Sequence, residues 1–173
     1  SGVETVSLAG VDAKIVTQTN ELIELVAMIG PSEEAVGDIV ITSVSGAFVT
    51  AKNGWSHEAA GVISNVLPSS GQFGTNVVIS GTNLCGGGTS LATVEFAGIE
   101  ATIKESASCA VILATIELSE NDDGSLVGDI VVTSDTGAVV TKVDGWEFIQ
   151  RSVVDSVYPN AGVVGTTVTI LGT

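Results

Sequence analysis

The sequence predicts an all-β chain of β-sandwiches in tandem, and three observations carry that prediction. First, the chain repeats itself. Residues 61–82, GVISNVLPSSGQFGTNVVISGT, return as residues 152–173, SVVDSVYPNAGVVGTTVTILGT; Pro68 and Pro159, Gly71 and Gly162, Gly74 and Gly165, and Gly81 and Gly172 are each 91 positions apart. A second block, Gly37-Asp38-Ile39-Val40-Ile41-Thr42-Ser43, recurs 91 positions later as Gly128-Asp129-Ile130-Val131-Val132-Thr133-Ser134, and Gly54-Trp55 recurs as Gly145-Trp146. Second, the chain is 45% hydrophobic but only 4% aromatic, so its core is built from Val, Ile, Leu and Ala. With 21 glycines, that composition favours short strands joined by tight turns. Third, no stretch keeps a helical 3.6-residue apolar period long enough to require a helix.

The elements follow in order through one whole repeat, residues 61–150. A first strand runs over 62–66 and stops at Pro68-Ser69-Ser70-Gly71, where Pro presets φ and Gly accepts a left-handed conformation. A second strand lies at 76–80, and a loop spans 82–90. The third strand, 92–96, turns at Ala97-Gly98 into a fourth at 100–104; a fifth alternates over 110–117. An acidic turn covers 120–125. The sixth strand, 129–134, and the seventh, 138–142, flank a hairpin turn at Asp135-Thr136-Gly137. Asp144-Gly145 has the composition of another hairpin turn, ahead of Trp146-Glu147-Phe148. Seven or eight strands in so short a span make a sandwich.

The order P-x-x-G-x-x-G-T-x-V-x-I-x-G-T, then A-G-[IV]-x-A, then G-D-I-V-[IV]-T-S, then G-W resembles the IPT/TIG immunoglobulin-like domain, in the tandem form of large extracellular and cell-surface proteins. The resemblance covers nearly the whole chain. It implies immunoglobulin-like sandwiches and a role in spacing, adhesion or interaction. Fold alone does not fix function, since the same domain also occurs in transcription factors and beside enzymes.

Against that pattern, residues 1–60 are the C-terminal part of one repeat, 61–150 a complete repeat, and 151–173 the first strands of the next. Joining Thr173 to Ser1 gives TILGT–SGVETVSLAG, which aligns with VISGTNLCGGGTSLATVEFAG once six loop residues are removed. Ser1, Gly2, Gly172 and Thr173 then form a seam, and the chain is one period of a polymer. The expected partners are copies of itself, head to tail. Either the polymer is a covalent array, or residues 152–173 donate their strands to the half-repeat of a neighbour.

The net charge is −15, from 20 acidic and 5 basic residues. Nucleic acid and anionic membrane surfaces are excluded as partners, because both need clusters of Lys and Arg. No apolar run reaches the length of a membrane span, so no direct membrane insertion is expected.

Cys85 and Cys109 are the most specific local signal. Cys85 lies in the 82–90 loop and Cys109 beside the fifth strand, and the shorter repeat has neither the loop nor a cysteine. A disulfide pinning the extra loop is expected; it stabilises by about 3 kcal/mol and places the chain in an oxidising, extracellular or cell-surface setting. The alternative is one buried and one exposed thiol. Gly86, Gly87 and Gly88 read as a flexible loop, with contact to a glycan or a neighbouring filament as the functional reading. They lack the Lys-Ser/Thr of a phosphate loop. Glu120, Asp122 and Asp123 are weak calcium candidates, without the spacing of a known calcium loop; a solvated hairpin end is the simpler account. No other metal site and no cofactor is expected.

Trp55 and Trp146 hold matched places, which favours a shared packing role over sugar stacking. His57, the single histidine, reads as a surface residue in a connector at 56–60. No triad or H-E-x-x-H motif is present, so no enzyme activity is expected. Asn-x-Ser/Thr is absent, while Ser and Thr are abundant enough for O-linked sugar. The function expected is a rigid end-to-end spacer in an extracellular filament, flagellar hair or surface fibre. The alternative is an adhesin or receptor ectodomain that binds a glycan or protein through its loops.

Overall fold

Every regular element among the described residues is a β-strand. The computed structural model describes residues 2–31, 34–117 and 126–173. Glu120, Asp122, Asp123 and Ser1 lie outside them, so the acidic turn and the first residue of the seam have no structural account. The chain divides into two units, Ser1–Gly61 and Val62–Thr173.

The first unit holds β1 (Val3–Leu8), β2 (Val11–Asp12), β3 (Lys14–Gln18), β4 (Ile23–Val26), β5 (Ala35–Ser43) and β6 (Phe48–His57). They form one sheet, ordered β2-β1-β5-β6, and a separate hairpin, β3-β4. The A-G turn of the repeat closes the β1-β2 hairpin. Ala9 and Gly10 both take positive φ, 48° and 85°, as a two-residue turn of this hand requires. Among the described residues of this unit only Val6, Leu8 and His57 are buried.

The second unit holds β7 (Val62–Leu67), β8 (Ser70–Gly71), β9 (Asn76–Thr82), β10 (Leu91–Phe96), β11 (Ile99–Ser108), β12 (Val111–Ile116), β13 (Leu126–Ser134) and β14 (Val139–Phe148), then β15 (Val154–Tyr158) and β16 (Thr169–Gly172). The first eight are ordered β7-β9-β12-β11-β10-β13-β14-β8. Glu100 in β11 pairs with β10, whereas Ala101 onward pairs with β12, so β11 joins two layers. Ile63, Val66, Val77, Ile79, Ile112, Ala114 and Ile116 from one layer meet Val94, Phe96, Ile130, Val132, Val140, Trp146 and Phe148 from the other in one buried core. The alternation of buried and exposed residues along β12 is the period-2 pattern of a strand with one face in a core.

The G-D motif shared by the units has a physical reason. A Cβ on Gly128 would lie 2.6 Å from that of Ala97, and one on Gly37 would lie 2.6 Å from that of Ala9. The Asp129 carboxylate accepts a hydrogen bond from the amide of Asp144, and Asp38 accepts one from Asn53, each at 2.9 Å. Asp144 and Asn53 have positive φ, 49° and 50°. Asp144-Gly145 is therefore not a hairpin turn. It is a bulge inside β14, where the pairing register with β13 shifts between Gly128 and Ile130. A second correction concerns the connector. Ser56 and His57 belong to β6, which pairs Ala35 with His57.

Candidate functional site

Three places carry the residues that the sequence singles out. The first is the loop between β9 and β10. Cys85 and Cys109 are joined by a disulfide, with their Cα atoms 5.2 Å apart. Leu84, next to Cys85, is fully buried in the core, and its amide donates to the Cys109 carbonyl at 2.8 Å. The far side of the loop is held by Asp135. Thr89 donates to that carboxylate from its hydroxyl at 2.8 Å, and Ser90 donates from its hydroxyl at 3.1 Å. The Thr89 side-chain hydrogen bond, followed by those of Ser90, holds the Asp135 carboxyl below the usual carboxylate value; desolvation opposes them. Gly88 sits so close to Asp135 that a Cβ would lie 2.1 Å from its Oδ1, and a Cβ on Gly86 would lie 2.6 Å from that of Ala138. The expectation of a loose glycine loop is thus corrected: an apolar plug, a covalent bridge and a carboxylate cap fix it. Gly87 alone of the three glycines is exposed.

The second place is the Trp55–His57 pair. His57 is buried, not a surface residue. The Trp55 indole Nε1 donates to His57 Nδ1 at 3.3 Å, so the imidazole N–H is on Nε2 and donates to the Leu8 carbonyl at 3.0 Å. In the second unit the matched position is Phe148, which packs edge-on against Trp146 at 5.8 Å. There the Trp146 Nε1 is buried with no hydrogen-bond partner among the described residues. The same scaffold position holds an aromatic ring in both units. Histidine adds an acceptor where phenylalanine has none.

The third place is the hairpin β15-β16, which repeats β7-β9 pair for pair. Ile63 pairs with Gly81, Val66 with Ile79 and Leu67 with Val78; 91 positions on, Val154 pairs with Gly172, Val157 with Ile170 and Tyr158 with Thr169. Both ladders shift register at the same point, between Ile63 and Asn65 and between Val154 and Ser156. The connecting turns agree too: the Gln72 amide donates to the Thr75 hydroxyl at 3.1 Å, and the Val163 amide to that of Thr166 at 2.9 Å. Gly172 meets the Val153 carbonyl oxygen as Gly81 meets that of Val62.

The family model of the IPT/TIG domain matches residues 62–144. This stretch is an IPT/TIG domain. Its strands supply the complete two-layer sandwich, and the disulfide-bound loop belongs to it. No curated protein matches the chain. Among solved structures, the chain is similar to the full extracellular region of plexin A4, with a TM-score of 0.50 and 17% identity, over 98% of this chain and 15% of that one. It is also similar to SGBP-B of a Bacteroides ovatus mixed-linkage glucan utilization locus, solved with a mixed-linkage heptasaccharide (TM-score 0.39, 17% identity, 88% of this chain and 40% of that one). A third likeness is to gamma-CGTase from alkalophilic Bacillus clarkii (TM-score 0.41, 18% identity, 86% and 24%). At such identities a likeness speaks to fold alone. The chain spans well under half the length of each of these proteins.

Among the described residues, no group of three potential metal ligands comes together. No helix among them is long and apolar enough to cross a membrane. A shallow surface depression of about 430 Å³ is lined by Ala92, Glu100, Ala101, Thr102, Ile103 and Glu117.

Proposed function

We propose that the chain is a non-catalytic structural segment of an extracellular protein, in which IPT/TIG-type sandwiches follow one another end to end as rigid spacers in a filament, flagellar hair or surface fibre. The observation that carries this reading is the identity of register between β15-β16 and β7-β9, set beside the β1-β2 turn and β5-β6 pairing of the first unit, which repeat those of β10-β11 and β13-β14. On this reading the chain holds one whole sandwich between the C-terminal part of one repeat and the first strands of the next. The disulfide suits an oxidising compartment, and the fold is also found in the extracellular region of plexin A4. Both ring nitrogens of His57 are engaged by Leu8 and Trp55, which leaves the one histidine no role as a general base.

Electron microscopy of the intact protein tests the reading. It should show thin, regular rods with two sandwiches per chain, each about 35–45 Å long. Compact particles that never assemble would contradict it.

The second reading, recognition of a glycan or protein through the loop of Gly86, Gly87 and Gly88, is favoured by one observation: the loop is fixed in advance, which lowers the entropic cost of binding. Weighing against it, the hydroxyls of Thr89 and Ser90 are taken by Asp135. A saturable ligand lost on deleting those three glycines would establish it.

A further inference from the structure

We propose that the complete sandwich takes an extended, basic segment of a partner protein as an added strand, in the gap between β10 and β11. The site goes beyond the spacer reading and does not depend on it, since it lies wholly within the strands β7 to β14. Its origin is the change of layer within β11. β10 pairs with β11 only through Glu95 with Glu100 and Phe96 with Ile99. From Ala101 on, β11 pairs with β12 instead. Among the described residues, Leu91–Val94 of β10 and the β11 residues after Glu100 therefore have a strand on one side only. Between them lies the depression of about 430 Å³.

Strand alternation decides which backbone groups face this gap. Ile116 turns its amide toward β9 and donates to the Thr75 carbonyl at 3.0 Å. Its neighbour Thr115 therefore turns toward β11, where it pairs with Thr102. Ala101 and Ile103, which flank Thr102, turn their N–H and C=O groups away from β12 and into the gap. An extended segment laid along β11 meets these groups as a further strand does, which is recognition by strand addition. The free run is short, because β11 shifts register after Ile103. It suits one short segment rather than open-ended growth of the sheet. In the first unit the matching gap is bridged. There β1 and β3 stand for β10 and β11, and the Gln18 side chain of β3 accepts the Val3 amide at 2.9 Å.

Charge selects the segment. Glu100 and Glu117, both exposed, line the depression together with Ala92, Ala101 and Ile103. Among the described residues neither carboxylate forms an ion pair. Arginine or lysine at alternate positions of the incoming strand brings its charge to these carboxylates and lays its methylene stem on the apolar side chains beside them. A second copy of this chain suits the site poorly, because each copy has a net charge of −15 and the two repel. The matched place in the first unit is unlike it in charge as well. By the pairing of β3 with β4 and of β11 with β12, Asp12 stands for Glu100, Lys14 for Thr102 and Met28 for Glu117. One carboxylate remains there, beside a cation.

Titrating the full chain with a short blocked peptide of alternating arginine and valine tests the proposal. The peptide should bind saturably, and amide exchange at Ala101 and Ile103 should slow. Salt should weaken the binding by screening the ion pairs. Giving the second unit the first unit's residues, Thr102→Lys with Glu117→Met, should weaken it by about tenfold. Both positions are exposed, so the fold should tolerate the change, and an unaltered Trp146 unfolding transition checks that it does. The same peptide methylated on its backbone nitrogens keeps its charge but loses its donors, and it should bind far more weakly. The proposal is overturned if the peptide does not bind, or if a glutamate and valine peptide or the methylated peptide binds as well. It is equally overturned if the double variant binds as the parent does, or if exchange slows only elsewhere. Protection of Ala101 and Ile103 that grows with protein concentration in the absence of peptide would replace the basic partner by a second copy.

Discussion

His57 shows what one residue changes when a scaffold is reused. Its ring fills the place of Phe148 and accepts the indole N–H of the neighbouring tryptophan. His57→Ala should destabilise the first unit by about 2–4 kcal/mol, from lost packing and an orphaned indole donor. His57→Phe should cost less, because Trp146 and Phe148 already tolerate that pairing. Trp55 reports the first unit and Trp146 the second, so fluorescence during urea unfolding separates the effects. Asp135 gives a prediction in pH. Its folded carboxyl lies below the ordinary aspartate value of about 3.9. The stabilisation is therefore fully present above that value and is lost as pH falls through the folded one. Amide exchange at Thr89 should accelerate in that acid range, and Asp135→Asn should remove the pH dependence. His57 was not legible as a core residue. Its flanking Ser56 and Glu58 are polar, and its partner Leu8 lies 49 positions away. Leu84 was the overlooked signal beside Cys85, a single apolar residue in a glycine-rich run.

At the scale of elements, most strands were legible because alternation and punctuation agree. β7, β9, β10, β12 and β13 fall within a few residues of their expected spans. The sequence ends β14 early, at Asp144-Gly145, since an Asp-Gly pair marks a turn or a bulge equally well. Only the Asp129 carboxylate, from the neighbouring strand, decides for the bulge. The glycines that end the repeat motif are legible too, and their reason is steric. A Cβ on Gly81 would lie 2.0 Å from the Val62 carbonyl oxygen and 2.9 Å from Leu84. Gly81→Ala should lower the stability of the second unit by about 1–3 kcal/mol, the range of core overpacking. Gly172→Ala meets the Val153 carbonyl oxygen in the same way, but in an exposed hairpin. It should leave the Trp146 unfolding transition unchanged and weaken only the assembly.

For the whole molecule, the repeat at 91 positions was the strongest signal in the sequence. It announced the sandwich and the unequal division of the chain. The sequence could not show that the hairpin at residues 153–173 already holds the register of a finished sandwich, nor that β3 and β4 pair as a hairpin of their own. Each follows from backbone pairing. The central claim is the proposed one, that sandwiches of this type follow one another end to end, so that both hairpins lie inside finished sandwiches in the intact protein. Hydrogen exchange of assembled protein tests it, whether the link between copies is covalent or not. The amides of Ile23–Val26 and Thr169–Gly172 should be protected to the level of Val111–Ile116 and Asn76–Thr82, and Ile170→Asp should release them. Fast exchange at both edges in assembled material would contradict the account.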